Sequence, residues 1–275
     1  MSTLRKKLQA AAVGFALLGS ASAFATTITN LTGTLPNWGG FDWASNGTAI
    51  VEGYDPFNIV GDSFSLTYYA SAAQLLNSVG FGGLGSGFAS ANGDILSGDY
   101  EYTIRVILNE TSVCNTFSGI CQDATFAVTS GSFQIWYDET ADADQVTGLG
   151  LTDGTLLIAG TIGAQPSGGF NIIDGGNATI SGNVTFTSPL INPSLLGTTA
   201  TSTLQIGANI TNWAAPTFMP AEGGLNKALP EGALLLQADA NQDFTARPVP
   251  EPGTLALAGL AMLGIGFSRF RRSNV

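Results

Sequence analysis

Apolar side chains recur at every second position through the middle of this chain, and this period limits its fold more than any other feature. In residues 100–108, for example, tyrosine and aliphatic side chains alternate with Glu101, Thr103 and Arg105. A period of two is typical of a half-buried β-strand. The same pattern predicts six further strands, at residues 63–69, 132–137, 155–162, 178–187, 202–206 and 232–236.

Turn signals separate these segments and favour an all-β fold. They are rich in glycine, asparagine and aspartate, as at Asn46-Gly47 and Asp153-Gly154. We find no helical pattern apart from a predicted short turn at residues 70–76, and residues 80–98 form a predicted glycine-rich surface loop. Many strands without alternating helices indicate a β-sandwich, here jelly-roll-like, over residues 26–240.

The first 25 residues have the order of an export signal. Basic residues 5–7 precede an apolar run at 10–18, and small residues follow at 21–25. This order predicts a secretory signal peptide over residues 1–25, with Ala23 as an alternative cleavage site. The remaining chain is therefore expected to fold outside the cytoplasm.

The last 27 residues also have three parts. A short motif is followed by an apolar run at 254–267 and then by a basic stop. The run is shorter than the roughly 20 residues of a membrane helix, which favours a processing signal; a simple membrane anchor is the alternative. Residues 241–248 are the predicted linker. The motif consists of Val249, Pro250, Glu251 and Pro252, and the stop of Arg269, Arg271 and Arg272.

This tripartite tail, at residues 249–275, resembles the PEP-CTERM sorting signal of Gram-negative bacteria. The resemblance implies two partners, the Sec export machinery and an exosortase that recognises the Pro-Glu-Pro motif in the inner membrane. The tail would cross that membrane transiently through its apolar helix. The implied destination is the cell surface or the extracellular matrix.

The charge of the region between the two signals excludes several functions. Residues 26–248 hold 19 acidic residues but only Arg105, Lys227 and Arg247 as basic ones, a net charge of about −16. This balance argues against nucleic-acid binding, which needs clustered lysine and arginine. The chain has no histidine, which removes serine–histidine and cysteine–histidine catalysis and the common zinc sites. We therefore predict that it is not an enzyme and has no catalytic residues.

Two small clusters are candidate structural or binding features. Cys114 and Cys121 are predicted to form a disulfide, since the chain is exported; a redox-active pair is the alternative. Asp138, Asp142 and Asp144 follow a predicted strand and make a weak calcium candidate. The alternative for these carboxylates is a solvated acidic loop. No other cofactor is predicted.

Two tryptophans form a candidate carbohydrate contact. Trp38 and Trp43 flank Asp42, and an indole beside a carboxylate can stack on a sugar ring while the carboxylate bonds its hydroxyls. The alternative is that both indoles close one end of the core.

The region between the signals resembles the flocculation-associated PEP-CTERM family. That resemblance implies a surface or matrix protein that promotes cell aggregation, as in flocs and biofilm, together with exopolysaccharide. A carbohydrate-binding module, or a polysaccharide-acting hydrolase, is the alternative. The matching segments are residues 41–47, 61–69, 100–103, 133–138, 151–157 and 234–242.

Overall fold

Strands make up most of the described chain, and the all-β prediction is confirmed. This computed structural model describes residues 26–58, 61–77, 80–83, 100–207 and 213–245. Beside the strands there is one 3-10 turn at Glu222–Gly224. The strands are β1 (Thr27–Asn30), β2 (Gly33–Leu35), β3 (Trp38–Glu52), β4 (Asp62–Asn77), β5 (Gly80–Gly83), β6 (Glu101–Phe117), β7 (Cys121–Asp138), β8 (Thr155–Ile162), β9 (Gln165–Asn171), β10 (Gly175–Thr187), β11 (Ile191–Asn192), β12 (Thr199–Ile206), β13 (Phe218–Pro220), β14 (Asn226–Ala228) and β15 (Leu234–Thr245).

Eight long strands form one antiparallel sheet that closes on itself. Their order is β12-β15-β3-β4-β6-β7-β8-β10, and β10 pairs in turn with β12. Strand β9 pairs with both β7 and β10. The sandwich-like prediction is confirmed, and the closing pair makes the large sheet continuous. Closure satisfies the backbone groups that an open edge would leave unpaired.

The interior of this closed sheet holds the main core. Along β6, Tyr102, Ile104 and Leu108 are buried at the alternate positions that the period predicts. They pack with inward residues of the other strands, such as Phe133 and Leu204. Since few carboxylates have a basic partner, burial of these apolar side chains supplies most of the stability.

The predicted helical turn at residues 70–76 is wrong, because these residues belong to β4. Phe41 of β3 pairs with Leu75, and Trp43 pairs with Ala72. Alanine and leucine favour a helix locally, but the pairing with β3 and burial in the core determine the conformation here.

The last strand corrects the predicted domain boundary. Strand β15 continues to Thr245, so the boundary at residue 240 is too early and the predicted linker 241–248 begins inside a strand. Within the predicted loop 80–98, residues Gly80–Gly83 form β5, and the rest lies outside the described residues.

Two segments cover part of the outer face of the sheet. Leu151 and Met219 come from residues 139–154 and 213–233, and they pack on Ile50 and Tyr69 in a second small core. We call these two segments the cover. Their packing buries outward side chains that a strand would otherwise expose to water. Among the described residues, no helix is both long and apolar enough to cross a membrane.

An arginine joins the cover to the sheet. Arg105 of β6, 8% exposed, forms an ion pair with Glu222 and donates a 3.0 Å hydrogen bond to Gln134. Its guanidinium also lies 5.8 Å from the ring centre of Trp136. This arginine is therefore used structurally and is not free to bind an anionic ligand.

Candidate functional site

The two tryptophans of the carbohydrate prediction are buried. Trp38 is 0% exposed and Trp43 is 1% exposed. Phe41 lies between them, with ring centres 5.2 Å from Trp38 and 4.8 Å from Trp43. Since neither indole offers a face to solvent, the predicted sugar contact at these residues is contradicted. Both indoles belong to the main core instead.

The predicted disulfide is present. Cys114 and Cys121 are bonded, with their Cα atoms 5.7 Å apart. They lie at the tip of the hairpin formed by β6 and β7. The bond therefore fixes a hairpin end and leaves no described thiol for redox chemistry.

The acidic loop brings together a different set of carboxylates from the predicted one. One oxygen each of Asp138, Asp142 and Asp153 lies within 4.8 Å of the others. Asp144 instead accepts hydrogen bonds from the backbone N–H groups of Val146 at 2.8 Å and Thr147 at 3.1 Å. Asp153 therefore replaces Asp144 in the group whose oxygens could hold a cation. Calcium binding stays a prediction.

The charges of this loop act on one another and on a buried neighbour. Burial, and then the charges of Asp153 and Asp138, raises the pKa of Asp142. Glu101 is 3% exposed and accepts hydrogen bonds from the backbone N–H groups of Asp142 at 3.1 Å and Ala143 at 2.8 Å. Its burial is the largest cause that raises its pKa to about 7, although the two hydrogen bonds oppose it. The loop is thus anchored on a carboxyl group that titrates near neutral pH.

A polar depression on the outer face of β10, β12 and β15 is the best candidate binding site. It encloses about 360 Å³. Outward positions on these three strands alternate with core positions such as Leu204 and Ala240. We call this surface the polar face. Its side chains are Asn177, Thr179, Thr203, Gln205, Asp239 and Asn241.

Strand register aligns these side chains in two rows across the sheet. In one row Gln205 of β12 lies opposite Asn177 on one side and Asp239 on the other. In the next row Thr203 lies between Thr179 and Asn241 in the same way. Opposite residues in antiparallel strands have Cβ atoms about 5 Å apart, so each row presents a continuous line of hydrogen-bonding groups.

Asp239 gives the polar face its charge, and a second carboxyl group, that of Asp42, lies on the strand beside it. Asn241 lies opposite Asp42 of β3, which extends the second row by one strand. Burial raises the pKa of Asp42, and the charge of Asp239 adds to this effect. Burial also raises the pKa of Asp239, against the hydrogen bonds from Ala240 and Ser45. The depression therefore combines the acceptor carboxylate of Asp239 with neutral amides and hydroxyls.

The sequence reasoning missed this site. Its signal is the choice of asparagine, glutamine and threonine, rather than lysine or glutamate, at the outward positions of three strands. The strands lie far apart in the chain, and β10 pairs with β12 only through closure of the sheet. Without that pairing, the residues of the depression cannot be grouped.

The predicted sorting residues lie outside the described residues, as does the predicted signal peptide. Comparison with protein families places a match on them: a family model for the PEP-CTERM protein-sorting motif covers residues 248–272. This range contains Pro250, Glu251 and Pro252, and its end includes Arg271 and Arg272. No match was found among curated proteins or among solved structures.

The position of this match agrees with the tripartite tail that the sequence predicts. A PEP-CTERM motif implies processing by an exosortase and export to the cell envelope of a Gram-negative bacterium. The chain therefore carries a PEP-CTERM protein-sorting motif at residues 248–272, and this motif supports exosortase-dependent sorting to the cell surface.

Proposed function

We propose that the exported domain binds exopolysaccharide through the polar face and so promotes cell aggregation, in flocs or biofilm, at the surface to which the tail directs it. One observation carries this proposal: a depression of about 360 Å³ is lined by amide, hydroxyl and carboxylate groups in two aligned rows. The role is contact rather than catalysis, and the Sec machinery would export the chain.

The chemistry of the polar face suits a polyhydroxylated polymer. A sugar hydroxyl both donates and accepts hydrogen bonds, as do the amides of Asn177, Gln205 and Asn241 and the hydroxyl of Thr203. Asp239 adds an acceptor. The rows run across several strands, which suits an extended chain of sugar units better than a compact ligand.

The affinity of one such site is expected to be weak. Each hydrogen bond to a sugar replaces one to water, so its net contribution is only about 1 kcal/mol. Many copies displayed at one cell surface would bind a long polymer much more tightly than a single copy does. This multivalency is what joins neighbouring cells.

The charge of the domain restricts the polymer. The region between the two signals has nineteen acidic and only three basic residues. Its net negative charge repels a polyanion over the whole surface. We therefore infer that the bound exopolysaccharide is uncharged, or carries little negative charge.

Removal of one hydroxyl group tests whether the polar face binds the polymer. We expect Thr203→Val to lower the affinity of the exported protein for the exopolysaccharide of the producing cells about fivefold, as one hydrogen bond is lost. The triple variant T203V/Q205A/N241A should bind below detection. Binding is measured by affinity electrophoresis against a graded amount of polymer.

The matched control is Thr161→Val, because Thr161 is an exposed threonine of β8 outside the polar face. It should bind as the unmodified protein does. Equal binding by the triple variant and by the unmodified protein would refute the assignment of the polar face.

A further inference from the structure

An apolar cavity lies inside the closed sheet, near the end where β3 finishes and β15 begins. Its volume is about 90 Å³. Leu66, Leu108, Ile180 and Leu204 separate it from a smaller internal void of about 30 Å³. Leu234, an inward position at the start of β15, also lines the cavity and is 43% exposed. The cavity therefore reaches solvent at this end of the sheet.

One carboxyl group faces this cavity. Glu110 follows Leu108 on the inward row of β6 and is only 4% exposed. Its Oε1 accepts a 2.9 Å hydrogen bond from the hydroxyl of Ser167, which is itself 5% exposed. Among the described residues, no arginine or lysine pairs with this carboxyl group. Burying a carboxyl group costs free energy unless it is hydrogen-bonded, and the cost is much larger when the group is charged and unpaired.

The wall of the cavity is largely aromatic. Tyr54, Phe64 and Phe126 pack edge to face, with ring centres 5.5 Å apart in each successive pair. Phe170 of β9 lines the same space. Aromatic edges and faces attract a further ring in the same geometry. A cavity of about 150 Å³ takes up benzene. This space of about 90 Å³ can therefore enclose only part of a ring that carries a substituent, and the rest of such a ligand would lie at the end that reaches solvent.

We propose that this cavity is a binding site for a small neutral aromatic alcohol, with the ring among the aromatic side chains and the hydroxyl on the Glu110 carboxyl group. Burial raises the pKa of Glu110, which favours its neutral form and thus a neutral partner. A carboxylic acid and a hydroxyl can each donate to and accept from the other. An ammonium ligand would instead have to lose its hydration on entering an apolar space.

The test compares benzyl alcohol with toluene as probes of the exported protein. Saturable binding is measured by the shift in melting temperature and by saturation-transfer NMR. We expect benzyl alcohol to bind about tenfold more tightly than toluene, because only the alcohol bonds to Glu110. This comparison needs no variant, so it holds even where a substitution impairs folding.

Two variants locate the site. Ala178→Leu adds bulk to the wall and should weaken binding of both probes at least tenfold. Glu110→Met should abolish the preference for the alcohol while leaving toluene bound. The proposal is overturned if neither probe binds saturably, if both bind equally to the unmodified protein, or if A178L binds them as before.

Discussion

Replacing Pro250, Glu251 and Pro252 with alanine is expected to leave nearly all of the protein as uncleaved precursor in the inner membrane. These residues belong to the matched sorting motif at 248–272, which an exosortase must recognise before the tail is processed. They lie beyond β15, which ends at Thr245, so the exported domain should still fold. The precursor and the processed form are separated on immunoblots of fractionated cells.

The matched control changes the other Pro-Glu pair of the chain, which lies within the described domain. Pro230 and Glu231 precede β15, and Glu231 is exposed. Alanine at both positions should leave processing unchanged. Normal processing of the variant at 250–252 would contradict exosortase recognition of the motif.

The second large effect concerns pH. We expect the exported domain to lose stability as the pH rises from about 5 to 7, and to regain it on acidification. Glu101 titrates at about 7 when folded, against an ordinary value of 4.5. Between these values the folded state holds more protons than the unfolded state, so the free energy of unfolding falls as pH increases. The shift corresponds to about 3 kcal/mol at most.

Glu101→Gln isolates this contribution. Glutamine keeps an oxygen acceptor for the N–H groups of Asp142 and Ala143 but carries no charge. The variant should match the unmodified protein at pH 5 and exceed it at pH 8 by up to about 3 kcal/mol. Urea unfolding followed by tryptophan fluorescence at pH 5, 6, 7 and 8 measures the difference.

The raised pKa values of Asp42, Glu110, Asp142 and Asp239 act in the same direction. Some pH dependence will therefore remain in the Glu101 variant. Glu231→Gln, at an exposed position, is the control and should retain the full dependence. A stability that increases between pH 5 and 8, or a slope unchanged by Glu101→Gln, would contradict the assignment.

Local features of the chain were predictable, and long-range ones were not. The alternation at 100–108 predicted the first half of β6 but not its continuation to Phe117. The expected export of the chain predicted the disulfide between Cys114 and Cys121. The prediction of a helical turn at 70–76 was wrong because pairing with β3 overrides the helix preference of alanine and leucine. Local sequence carries no information about that partner.

The candidate sites show the same division. Closure of the sheet by β10 and β12 creates the polar face, and this pairing joins residues that no local pattern connects. Packing of the cover likewise brings Asp153 beside Asp138 and Asp142. Asp144 is not part of this group, because it accepts a hydrogen bond from the backbone N–H of Val146. The sugar hypothesis for Trp38 and Trp43 failed because both residues lie on β3 with their side chains buried in the core.

The aggregation of a deletion strain tests the central claim most directly. Cells that lack the gene are complemented with the unmodified chain, with T203V/Q205A/N241A or with T161V, and the fraction of cells in aggregates is counted by microscopy. Secreted exopolysaccharide is quantified in each strain. We expect deletion to disperse the cells while polymer is still secreted, and only the unmodified chain and T161V to restore aggregates. Normal aggregation of the deletion strain, or full restoration by the triple variant, would contradict this account.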